Sequence, residues 1–137
     1  MTLEGTLIKI DEPTVNGNVY NKEVAEQIYN SIKSGNNLVL LDNGSISLSF
    51  ENLIGKIIDA KLTEESLNIK VDLLENMPNA EVIKSFINGG QKMFSGIYGI
   101  GKSKLINGKK QIESYTYLYA TILDKPVWEN AEITIKN

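Results

Sequence analysis

The sequence predicts an α+β domain: a mainly antiparallel curved sheet or small β-barrel of seven to eight strands, with two helices. Three observations carry that expectation. Several short segments alternate apolar and polar residues, the two-residue period of a half-buried strand. Two other stretches space their apolar residues three and four apart and stop at glycine, as helices do. Turn-forming groupings of Asn, Asp and Gly separate most of these segments.

Residues 2–10 end in a β-branched, alternating run and read as the first strand. A loop follows over Asp11–Asn18, with Pro13 and the turn pair Asn16-Gly17. Lys22–Ser34 reads as a helix: Asn21 is placed to cap it, Val24, Ala25, Ile28, Tyr29 and Ile32 line one face, and Gly35 closes it. Leu38–Leu41 is a short continuous apolar run, expected as a buried strand. After the turn Asp42-Asn43-Gly44, Ser45–Phe50 alternates Ile46, Leu48 and Phe50 against serines, again a strand pattern. Leu53–Leu62 and Leu67–Leu74, joined by a polar turn, are expected to form an antiparallel hairpin.

Pro78-Asn79 opens a second helix over about 80–88, with Val82, Ile83, Phe86 and Ile87 expected on its buried side and Gly89-Gly90 at its end. Lys92–Ile100 reads as a strand whose glycines at 96, 99 and 101 imply bulges or close backbone approach. Asn107-Gly108, between Ser103–Ile106 and Lys109–Leu123, is the strongest hairpin signal in the chain. Tyr115, Tyr117 and Tyr119 are expected on one face of that last long strand. Asp124-Lys125-Pro126 ends it, and Glu132–Ile135 adds a final edge. Without an internal repeat or a linker, residues 1–137 are expected to form a single domain.

Composition narrows the chemistry. The 137 residues include no Cys and no His. Disulfides, thiolate zinc sites, Cys nucleophiles and every Ser-His mechanism are thereby removed. What is left is carboxylates, Lys, Tyr and hydroxyls. A net charge of −3 argues against a general nucleic-acid or anionic-membrane binder. No apolar run approaches the ~20 residues of a membrane span, and Met1–Thr6 lacks the basic region of a signal peptide. No cofactor is expected. Gly96, Gly99 and Gly101 lack the strand-to-helix setting of a phosphate loop. Glu64-Glu65 reads as a solvated turn, and Asp72, Glu75 and Glu81 have no metal-ligand spacing.

The order of these signals resembles the prohead core proteases of tailed bacteriophages, serine proteases that mature capsids and share a fold with herpesvirus assemblins. The resemblance spans most of the chain. It rests on Val15-Asn16-Gly17-Asn18-Val19-Tyr20-Asn21 leading into a helix, Leu40-Leu41-Asp42-Asn43-Gly44, the strand pair and glycine-ended helix through Gly90, Met93-Phe94-Ser95-Gly96-Ile97-Tyr98-Gly99, and Asp124-Lys125-Pro126. It implies a prohead-protease fold, with Ser95 at the nucleophile's place and Asn43 where the family carries its catalytic histidine. A neutral amide cannot accept and return a proton near pH 7, so the resemblance implies a degenerate protease site.

A lysine base is the remaining route to a hydrolase. Lys92, Lys102 and Lys104 lie near Ser95 in sequence, but at odd spacing, so an uninterrupted strand would point them away unless bulges shift the parity. The expected role is therefore a non-catalytic virion protein, an auxiliary or decoration protein assembled in the bacterial cytoplasm. Its expected partners are the major capsid protein or other virion proteins, with self-association also open. The alternative is an active maturation protease that cleaves scaffold and capsid proteins through Ser95 and an unusual base. Tyr115, Tyr117, Tyr119 and Trp128 are candidate interface residues, and equally a packed sheet face and a core anchor.

Overall fold

The computed structural model describes residues 1–42 and 50–136. The expected strand at Ser45–Phe50 and the turn residue Asn43 therefore fall outside the described residues or at their edge; Phe50 itself begins a short 3-10 turn, Phe50–Asn52. Among the described residues, eight strands form one sheet: β1 (Thr2–Lys9), β2 (Asn18–Val19), β3 (Leu38–Leu41), β4 (Leu53–Leu62), β5 (Ser66–Leu73), β6 (Phe94–Ile106), β7 (Lys109–Leu123) and β8 (Thr134–Ile135). Two helices accompany them, α1 (Lys22–Lys33) and α2 (Pro78–Asn88).

The β4–β5 and β6–β7 hairpins form as the turn chemistry dictates, and β1 pairs antiparallel with β5. Asn107 and Gly108 both take positive φ, 54° and 79°, the mirror-image turn whose twist matches two antiparallel strands. The sheet is less sequential than the pattern suggested. β3 lies parallel to β7, with Val39 opposite Ala120, and β2 is parallel to β7 at its other end. α1 connects β2 to β3, which both run parallel to β7, and the chain from β3 back to β7 passes through β4, β5, α2 and β6. At the C-terminus, Ile133 N–H donates to the Met93 carbonyl (2.8 Å) and Glu132 bridges Phe94, while β8 pairs with β1. The C-terminal segment thus links β1 to the start of β6, and the sheet curls back on itself.

α1 fills the curl. The Asn21 side chain accepts from Val24 N–H (2.9 Å), capping the first turn, and Gly35 leaves the helix at φ 116°. Val24, Ala25, Ile28 and Ile32 are buried against β4, β5 and β7. α2 departs from expectation. Ala80 and Ile83 are its buried residues, whereas Val82 and Phe86 are 43% and 46% exposed. Five apolar side chains on three turns cannot all face one sheet, and residues 80, 83 and 87 take the inner stripe. Among the described residues, no helix is long and apolar enough to cross a membrane.

Candidate functional site

Ser95 sits near the start of β6, opposite Ile122 of β7, and shares its inward face. Its hydroxyl donates a 2.7 Å hydrogen bond to the Thr6 carbonyl of β1, across the curl. The residue is 5% exposed and is surrounded by Leu3, Val39, Ile69 and Ile122. Gly5 faces it, and a Cβ there would stand 3.0 Å from the Ser95 Oγ. The residual void beside the hydroxyl is about 10 Å³, far below the several hundred Å³ of a substrate cleft. A peptide carbonyl does not take up a hydroxyl proton near neutral pH, so this bond is of the kind that fastens strands together.

The three nearby lysines are directed elsewhere. Lys92 Nζ pairs with Glu132 Oε1 (3.2 Å) at the surface. Lys102 and Lys104 are exposed on the outer half of β6, with Lys102 roughly 23 Å along the strand from Ser95. Asn43, the other candidate, lies outside the described residues. It follows Asp42, whose N–H donates to the Ile122 carbonyl (2.9 Å), the residue opposite Ser95.

The tyrosines do not form one stripe. Register shifts between Tyr98 and Gly99: Tyr98 pairs with Tyr119, but Gly99 pairs with Tyr117, which leaves Leu118 as an extra residue on β7. Paired residues share a face and Tyr98 and Gly99 are consecutive, so Tyr119 and Tyr117 lie on opposite faces. Tyr117 joins the core and Tyr115 packs against it, under Tyr20 in an edge-on contact at 6.0 Å. Trp128 is 2% exposed, contacts Tyr20 at 5.9 Å and donates Nε1–H to the Glu12 carbonyl (2.9 Å). Tyr117 and Trp128 are therefore buried in the core of this chain, while Tyr115 is partly buried and packs against it. Tyr119 instead stacks on the exposed Tyr98, with ring centroids 4.9 Å apart and planes at 11°. Burial pushes the Tyr20, Tyr115 and Tyr117 hydroxyls above the ordinary tyrosine range, and for Tyr115 the neighbouring tyrosines add to that effect.

Sequence reasoning missed one open cleft of about 520 Å³, between α2 and the ends of β3, β6 and β7. Val82, Phe86, Met93, Leu123 and Asp124 line it. Its only signal in the sequence is the second apolar pair of α2, residues 82 and 86, one turn apart and beyond what the inner face requires.

By sequence, no family model and no curated protein matches the chain. By structure it is similar to the bacteriophage T4 capsid assembly protease, gp21, with a TM-score of 0.80 over 91% of this chain and 82% of that one, at 12% identity. At that identity the likeness is one of fold. It agrees with the layout of two helices and a curled sheet, and the chain has a prohead-protease-like fold.

Proposed function

We propose that this chain is a non-catalytic phage structural protein, which keeps a prohead-protease-like fold and uses it to bind the capsid shell as an auxiliary or decoration protein. The observation that carries the reading is Ser95: its hydroxyl is buried and committed to the Thr6 carbonyl, in a chain with no histidine. A serine nucleophile needs both a base to take its proton and a path for substrate, and removal of a base costs on the order of a million-fold in turnover. The structural likeness to a capsid assembly protease supports the association with capsids. A shell offers many equivalent sites, so a domain of this size gains in avidity from repetition. The same likeness favours the second reading, a working maturation protease.

Two measurements separate them. The purified chain is incubated with unfolded casein and with itself, beside Ser95→Ala; equal, background cleavage is expected. Quantitative mass spectrometry of virions from the phage that encodes it is expected to find the full-length chain in a copy number tied to shell symmetry. Cleavage that depends on Ser95, or absence of the chain from the particles, overturns the proposal.

A further inference from the structure

The β6–β7 hairpin outruns the rest of the sheet. β6 runs to Ile106 and β7 starts at Lys109, whereas β1, β8 and the Glu132 bridge reach β6 only around Met93–Ser95. Beyond that point β7 is the one strand that pairs with β6 among the described residues, and it uses one edge. From Ile97 to Ile106 the opposite edge is open, a length of roughly 30 Å. An open edge offers alternate N–H and C=O groups to any extended chain that lies beside it.

The side chains along this edge are not those of a protected one. Tyr98, Ile100, Lys102, Lys104 and Ile106 alternate onto the outer face, since both register shifts place the extra residue on β7. Ile100 is 71% exposed and Leu105, on the other face, 70%, with Leu118 adding to the apolar surface. The charges have one sign: Lys102, Lys104, Lys109 and Lys110 stand against Glu113 alone, in a chain of net charge −3. None of the ion pairs among the described residues engages these four lysines. Gly99 and Gly101 leave the inner face of the edge low, floored by the Tyr115 ring.

We infer that the free edge of β6 is a docking site for an extended segment of a partner protein, which adds as a strand and carries acidic residues opposite Lys102 and Lys104 between apolar ones opposite Ile100 and Ile106. Main-chain bonds supply affinity and the alternate side chains supply choice. Charge complementarity favours an acidic partner strand over a second copy in parallel register, which would set lysine beside lysine. The inference names a surface through which the proposed capsid role would operate, but a strand can dock on β6 whether or not the partner is a shell protein.

The test uses the full chain and a capped peptide of roughly nine residues. It carries valine, glutamate, glutamate, valine and tyrosine at alternate positions, with threonine between. Binding is followed by fluorescence anisotropy, and amide exchange is mapped along the chain. Saturable binding is expected, with new protection confined to Ile97–Ile106 and affinity falling as salt is raised. A peptide with lysine in place of glutamate should bind about tenfold more weakly, and Lys102→Glu with Lys104→Glu should invert that preference. Ile100→Lys, at an exposed position, should weaken binding while leaving the melting temperature unchanged. Equal binding of both peptides, or protection elsewhere, overturns the inference. So does a concentration-dependent dimer, seen by light scattering and abolished by Ile100→Lys, since it would give the edge to a second copy. None of these outcomes bears on virion copy number or on cleavage, so this inference and the proposed function fail separately.

Discussion

The Ser95 hydroxyl and the Thr6 carbonyl, 89 residues apart in sequence, are joined by a 2.7 Å hydrogen bond inside the curl of the sheet. Among the described residues no backbone ladder joins β1 to β6; this contact and the C-terminal segment, which pairs with both, span the two edges.

That relationship fixes the first expectation. Ser95→Ala removes the donor of this part-buried bond to the Thr6 carbonyl, which costs about 1 kcal/mol. Urea unfolding should show a lower midpoint with an unchanged slope. A serine held only for catalysis would show no such loss, and a nucleophile freed of its duty often gains stability when removed. An unchanged midpoint would therefore speak against the fastening role.

Gly99 marks the point where the register of β6 and β7 shifts. A Cβ at this position would collide with the Thr116 carbonyl oxygen and stand 2.7 Å from the Tyr115 ring. The backbone oxygen cannot be turned aside as a flexible side chain could. Gly99→Ala is expected to cost more than about 2 kcal/mol, or to abolish folding, because the bulge itself must be rebuilt. Gly101→Ala is the milder comparison: its nearest neighbour is the Tyr115 ring at 2.9 Å, which can shift. Thermal melts of the two variants should rank in that order.

Those glycines also show how much of the fold was legible. Glycines at 96, 99 and 101 in a strand pattern announced close approach or bulges, and Asn107-Gly108 announced its turn, because each residue type answers a local backbone demand. Asn21 and Gly35 bounded α1 for the same reason. What stayed hidden is set at a distance. Tyr115, Tyr117 and Tyr119 alternate perfectly in sequence, yet the extra residue Leu118 turns Tyr119 to the opposite face, and only pairing with β6 reveals it. The parallel pairing of Val39 with Ala120 leaves no local mark either. Val82 and Phe86 read as core because apolar character does not say which of two adjacent helix stripes meets the sheet. At the candidate site, the strand that carries Ser95 was legible in the pattern of residues 92–100, but the burial of Ser95 and its bond to Thr6 were not, since β1 is brought to it by the curl of the whole sheet.

Tyr117 provides the last prediction. Its hydroxyl is buried and has no hydrogen-bond partner among the described residues, so Tyr117→Phe should be neutral at pH 7 or stabilise by about 1 kcal/mol. The same burial raises the Tyr20, Tyr115 and Tyr117 hydroxyls above the ordinary value of 10.0, since the charged phenolate is the form disfavoured inside. Below pH 10 folded and unfolded chains both hold these protons, and stability is fully present. Above it the unfolded chain releases protons that the fold retains, so unfolding gains and stability falls as pH rises, by about 1.4 kcal/mol per pH unit for each such tyrosine. Urea midpoints measured from pH 8 to about pH 11 should therefore be flat and then decline above pH 10, and Tyr117→Phe should decline less steeply. A variant that loses stability at pH 7, or that keeps the full alkaline slope, would mean that the Tyr117 hydroxyl is partnered or solvated in the folded protein.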